Sequence, residues 1–174
     1  MNHGTVSKEI AKGLLALQAH IKAAKVPPSK LAEPLNIATW NICEFGEKRR
    51  LDAAVHYLAE ILGQFDLITV VELRANLAAM ARVMQILGPY WWLIYNDCMA
   101  DPGTDARYDQ IAHYAKDPER FARLGGTVDF YGQGAAIKEL FPKGMTEDAF
   151  TYQMSDPLPL RIQINTDNDA QQLR

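Results

Sequence analysis

Leu35-Asn36-Ile37-Ala38-Thr39-Trp40-Asn41-Ile42 is the stretch from which the fold is read. Leu35, Ile37 and Thr39 fall on one face of an extended chain, and Asn36, Ala38 and Trp40 on the other, the period of a strand. Glu44-Phe45-Gly46-Glu47 then reads as a turn. The spacing predicts a helix over Lys48 to Gln64, with Leu51, Val55, Leu58 and Leu62 in one stripe flanked by Ala54 and Ile61. Asp66 to Leu73 is a nearly continuous apolar run holding one acid, Glu72, the pattern of a buried strand. A second helix is expected over Ala75 to Leu87, with Leu77, Met80, Met84 and Leu87 on one side and Gly88-Pro89 as the stop. Tyr90 to Tyr95 reads as a third strand. Strand, helix, strand, helix, strand is the order of an α/β fold.

Upstream, Ile10, Leu14, Leu17 and Ile21 put one apolar face on a helix over Ser7 to Lys25, with Ser7 as N-cap and Glu9 in the first turn. Val26-Pro27-Pro28 ends it, because proline lacks the N–H and restricts the residue before it. Residues 1–34 therefore read as an N-terminal helical extension, expected to pack on the host domain, with Lys8, Lys12, Lys22 and Lys25 leaving a partner or membrane-surface role open. Downstream, Asp101-Pro102-Gly103 is a loop, Tyr108 to Tyr114 a weakly alternating strand, and Lys116 to Leu124 irregular or briefly helical. Gly126 to Tyr131 is expected as a strand, Ala135 to Phe141 as a short helix and Pro159 to Asn165 as a closing strand. In that last strand Leu160, Ile162 and Ile164 alternate with Arg161 and Gln163. Residues 166–174 read as a polar tail.

Composition limits function. The chain has 174 residues, 48% hydrophobic and 22% charged, ordinary for one globular domain. Net charge is −3, so a broad electrostatic grip on nucleic acid is not expected, and a phosphate ligand would need a metal or a few local cations. Cys43 and Cys98 are too few for a disulfide framework and read as reduced thiols. No apolar run approaches a membrane span and no signal peptide is seen, so the expected location is cytoplasmic.

Four motifs carry candidate chemistry. Asn41 ends a strand, where α/β proteins place their sites, although an Asn there also serves as a turn or cap residue. Glu72 ends an apolar run in which an unpaired carboxylate is costly; it must emerge at an edge, pair with a neighbour such as Arg74, or meet a cation. Asp109 lies in Tyr108-Asp109-Gln110-Ile111. Asp156 lies in Ser155-Asp156-Pro157-Leu158-Pro159-Leu160, which also reads as an Asp-Pro turn. No Gly-rich phosphate loop, no G-x-S-x-G elbow and no metal-type histidine spacing occurs.

Taken in order, these motifs resemble the endonuclease/exonuclease/phosphatase superfamily, the DNase I-like metal-dependent phosphodiesterases. The Trp40-Asn41 strand end, the strand ending at Glu72, the Asp109 segment and Ser155-Asp156 match in sequence order. The resemblance implies an incomplete two-sheet α/β sandwich over residues 35–165, preceded by the N-terminal helix. It implies Mg²⁺ (or Mn²⁺) held by Glu72 and Asp156, with Asn41 assisting, and hydrolysis of a phosphodiester substrate, nucleic acid among the candidates. Asp109 would pair with a histidine of the closing motif and set its protonation.

The chain departs from that pattern in three ways. The expected histidine is Pro157, which can neither donate to a phosphate nor exchange a proton. No Asp-x-Asn element lies between Asn96 and Asp109, and Asp167-Asn168-Asp169 falls in the tail. The central strands are missing, with Met99 to Asp105 as the junction. Weak or absent catalysis is therefore expected. The alternative is a non-catalytic interaction module, or a homo-oligomer joined through exposed strand edges and the N-terminal helix.

Overall fold

The computed structural model describes residues 1–27, 34–46, 49–74, 76–89, 91, 121–131, 136–155 and 158–164. Among them run α1 (Lys8–Ala23), β1 (Leu35–Phe45), α2 (Asp52–Leu62), β2 (Leu67–Leu73), α3 (Ala78–Leu87), β3 (Phe121–Thr127), α4 (Ala136–Leu140), α5 (Glu147–Met154) and β4 (Leu160–Ile164). The strands form one mixed sheet in the order β2-β1-β4-β3. The protein is thus α/β, as its element order predicts. The predicted strand at Tyr90–Tyr95, apart from Trp91, lies outside the described residues, as do the Met99–Asp105 junction, the Tyr108–Tyr114 segment and the tail.

β1 organises the sheet. Asn36, Ala38, Trp40 and Ile42 alternate as buried residues with half-buried Leu35, Ile37, Thr39 and Asn41. The helices cover the Trp40 face, where Trp40, Ile42 and Phe45 have no exposed surface. β2 runs parallel to β1, from Ile37 opposite Leu67 to Asn41 opposite Val71. It is the outermost strand on that side among the described residues. The sequence predicts a strand buried on both faces; instead Thr69 and Glu72 are exposed and Leu67 is 59% exposed. An apolar run reports burial propensity but cannot report a position in the sheet.

α2 is shorter than its periodicity suggests. It starts at Asp52, and Leu51 stays extended and exposed before the first turn. Leu51 N–H donates to Gln153 Oε1 at 2.8 Å, and the Arg50 side chain turns toward α5, so tertiary contacts claim the residues that would have formed the first turn. From Ala54 to Leu62 every residue is buried, because α2 is wedged among α1, α3 and α5. α1 begins where the sequence places it: Ser7 Oγ accepts the Ile10 N–H at 3.2 Å. Its Ile10, Leu14 and Leu17 face packs on α2 and α4, and His20 meets Glu139 of α4 at 2.8 Å.

The C-terminal third differs most from expectation. β3 begins at Phe121, in a segment expected to be irregular, and ends at Thr127. Antiparallel pairing with β4, Gly125 opposite Ile162 and Thr127 opposite Leu160, outweighs the poor strand propensity of two glycines. α4 falls within the expected helix. α5 was not anticipated, although Thr146-Glu147-Asp148 is a cap followed by acids: Thr146 Oγ1 accepts the Ala149 N–H at 3.2 Å. It buries Phe150 and Met154, and Phe150 meets Tyr131 and Phe141 edge-on at 5.2 and 5.9 Å.

β4 forms where predicted, and its register puts the polar residues of the alternation inside. Arg161 lies opposite Ala38 and Gln163 opposite Asn36, so the polar residues share the helix-covered face. Gln163 and Asn36 are both buried, and Asn36 Nδ2 donates to the Pro27 carbonyl at 2.6 Å. Arg161, half-buried, is less well satisfied: its Nε and Nη1 are closed off from water with no hydrogen-bond acceptor among the described residues, and burial lowers its pKa. An uncompensated cation is a liability that an apolar side chain of similar length removes. Arg161→Met should therefore raise stability by about 1 kcal/mol or more, read as a higher urea midpoint at unchanged slope. A lower midpoint would show that the guanidinium supports the fold.

Candidate functional site

Glu72 and Asn41 meet where regular parallel pairing of β1 with β2 stops; the sequence ends the first strand at Asn41-Ile42, but β1 runs on to Phe45 because it pairs again at Phe45–Leu73. Asn41 lies opposite Val71, and beyond that pair β1 carries an irregularity before Phe45 lines up with Leu73. Glu44 and Glu72 take left-handed backbone there, with φ of 43° and 60°. Neither is glycine, so each conformation costs about 1–3 kcal/mol and must be held by its surroundings. The result is a re-aimed carboxylate, the usual consequence of a bulge. Asn41 Nδ2 donates to Glu72 Oε1 at 2.8 Å, and Glu44 N–H donates to Glu72 Oε2 at 3.1 Å.

These bonds set the charge of the site. Partial burial pushes the Glu72 carboxyl up, but the hydrogen bonds from Asn41 and the Glu44 N–H, together with the Arg74 charge, outweigh it. The net displacement is below the ordinary value, so Glu72 is a carboxylate at neutral pH. It is also exposed, which leaves lone pairs on both oxygens reachable from solvent.

Two further groups brace the strand end. Ser155, just beyond α5, donates its hydroxyl to the Asn41 carbonyl and sits at φ 120°. Arg50 is 4% exposed and donates to the carbonyls of Cys43, Tyr152 and Gln153, the last at 2.6 Å. Its guanidinium lies 4.9 Å from the Phe45 ring centre and 5.3 Å from that of Tyr152. A cation on the last carbonyls of α5 also complements the helix dipole, and α5 has no basic residue of its own in that turn. Arg50 carries no catalytic signature in sequence, and only the fold reveals its role.

The structure brings together two of the four predicted site residues. Asn41 and Glu72 are in contact; Asp109 and Asp156 lie outside the described residues. Asn41 faces Glu72 with its amide NH₂, so in this arrangement it positions the carboxylate. Among the described residues no group of three His, Cys, Asp or Glu side chains stands together as a metal cage. The donor set does fit a hydrated Mg²⁺ or Mn²⁺, which can be held by one carboxylate while keeping several waters. No described helix is long and apolar enough to cross a membrane.

Comparison with known proteins adds no relative: no protein-family model, curated protein or solved structure matches the chain.

Proposed function

We propose that the chain is a shortened relative of the Mg²⁺-dependent phosphodiesterases of the endonuclease/exonuclease/phosphatase type, with weak or absent turnover. The observation that carries this is the Asn41–Glu72 contact where regular parallel pairing of β1 with β2 stops. Two motifs that are 31 residues apart in sequence, and that suggested the family, converge on one carboxylate. Support also comes from Ser155, whose hydroxyl donates to the Asn41 carbonyl, and from the antiparallel pairing of β4 with β1. The remaining half of an α/β sandwich would lie against the sheet face of Leu35, Ile37, Ile162 and Ile164.

In this function Glu72 binds the cation, and Asn41 and the Glu44 N–H orient its carboxylate. The bound cation would supply charge neutralisation at phosphoryl oxygens. Without the electrophilic histidine, replaced by Pro157, and without a water-orienting Asp-x-Asn pair, each missing group costs about 10²–10⁴ in rate. Mn²⁺ should bind specifically, read as paramagnetic broadening of the Asn41 and Glu44 amide signals, and Glu72→Gln should abolish the broadening. Assays with Mg²⁺ or Mn²⁺ on plasmid DNA and on a simple phosphodiester should show little turnover. Robust hydrolysis lost in Glu72→Ala would establish an efficient enzyme instead. No Mn²⁺ broadening at all would remove the phosphodiesterase assignment.

A second function, self-association, is favoured by Leu67, 59% exposed on the outermost described strand of that edge. The apolar face of α1 is already committed to α2 and α4, so among the described elements the outer strands β2 and β3 are the surfaces for it. Light scattering showing a monomer over a wide concentration range would exclude it.

A further inference from the structure

Away from Glu72, residues before α1 are pinned to α2 and α3 through a chain of titratable groups. His3 Nε2 lies 2.8 Å from Glu60 Oε2, and His3 Nδ1 lies 2.9 Å from His56 Nδ1. His56 Nε2 in turn faces Asp52 Oδ2 at 3.7 Å. The other Glu60 oxygen accepts from Gln18 Nε2 of α1 at 2.9 Å, and the Asn2 N–H donates to the Ile86 carbonyl of α3 at 2.7 Å. His56 is buried, with its side chain 1% exposed, and His3 is mostly covered at 19%. Arg82 of α3 is the cation whose field also reaches His56.

Proton counting decides what this chain tolerates. A carboxylate only accepts, so His3 Nε2 carries the hydrogen that goes to Glu60. In the neutral pair His3 Nδ1 is then an acceptor, and His56 Nδ1 must donate to it. One added proton fits, because it goes to His56 Nε2 and faces Asp52 while the Nδ1–Nδ1 bond stays intact. A second added proton does not fit. It would put hydrogens on both Nδ1 atoms at 2.9 Å and two cations in contact, with Arg82 adding repulsion.

We propose that the His3–His56 pair is an acid-sensitive latch that holds residues 1–7 on α2 and α3 and releases them when both rings become cationic. The first proton is itself disfavoured at His56, whose pKa is lowered first by burial, opposed by Asp52, and lowered further by His3 and Arg82. A base with a depressed folded pKa contributes stability that is present above its unfolded value near 6.5 and is lost as pH falls through the folded value. Released, the segment uncovers His56 and frees the Ile86 carbonyl.

Hydrogen exchange on the full chain, corrected for intrinsic rates, tests the latch at about pH 7.5 and about pH 5. Within residues 1–7 the Asn2 amide, which donates to Ile86, should be protected at the higher pH and lose protection at the lower, the open fraction growing about tenfold per pH unit. Residues 52–62 should stay protected throughout. His3→Gln keeps α2 intact but removes the second ionisable ring, so protection at residues 1–7 should no longer respond to pH. Long-range proton–nitrogen spectra should show His56 protonated at Nδ1 near neutrality. Equal protection of residues 1–7 at both pH values in the parent chain, or an unchanged pH response in His3→Gln, would overturn the latch.

Discussion

Arg50→Met is expected to lower the unfolding free energy by about 3 kcal/mol. Methionine keeps most of the apolar stem but none of the donors. The carbonyls of Cys43, Tyr152 and Gln153 would then be left facing the space of the lost guanidinium. Hydrogen bonds from a charged donor contribute about 1.5–3 kcal/mol each, and buried acceptors left without a donor add their desolvation cost. The cation stacked between Phe45 and Tyr152 is lost as well. The damage should be directional, because Arg50 joins the end of β1 to the end of α5. Ser155, Glu44 and so the carboxylate of Glu72 depend on that junction. Urea unfolding checks the magnitude, and Mn²⁺ broadening at Glu44 checks the local effect. A midpoint within experimental error of the parent would mean that water replaces the guanidinium at little cost.

Gly13→Ala is expected to destabilise by about 2 kcal/mol, against the sign of helix propensity. In an exposed helix the change would gain about 1 kcal/mol. Here α1 crosses α2 so closely that a Cβ at position 13 would fall inside the Tyr57 hydroxyl and 2.6 Å from its ring carbon Cζ. Tyr57 cannot yield. Its side chain is fully buried, its hydroxyl donates to the Leu140 carbonyl at 2.9 Å, and its ring meets Phe141 edge-on at 5.5 Å. The same burial pushes its phenol up to about 12. The α1–α2 contact must therefore open, and the Tyr57–Leu140 bond that ties α2 to α4 loosens with it. Pairing the change with Tyr57→Leu provides the control. In that background the alanine should cost nothing or recover its propensity gain, a coupling of about 2 kcal/mol in a double-mutant cycle. Additive effects would place the Gly13 penalty elsewhere.

Both predictions rest on residues that sequence reading passed over, for a common reason. Neither Gly13 nor Arg50 belongs to a motif or an apolar stripe, so nothing in the sequence singles them out. Each owes its importance to what lies across the interface: Tyr57 is 44 residues from Gly13, and Gln153 is 103 from Arg50. Periodicity registers which face of an element is apolar but contains no information about the partner. Glu72 was legible because it comes next to last in its strand, and strand ends in α/β proteins hold their sites; Asn41 was found by the same reasoning although β1 continues past it to Phe45. That they touch required parallel pairing in one register, since a one-residue slip would turn Glu72 to the opposite face.

Sequence by itself determined the α/β class, the Ser7 cap, the apolar face of α1 and the two faces of β1. These are local matters of period two, period 3.6 and capping, and they need no partner. Only the tertiary structure decided that β2 lies at an edge of the described sheet, that Arg161 and Gln163 face inward, and that α2 starts at Asp52. It also decided that the segment at Phe121 becomes a strand and that His3 closes on His56. In each case hydrogen bonds and contacts between residues far apart in the chain outweighed local preference, and a linear pattern cannot record a contact between distant segments.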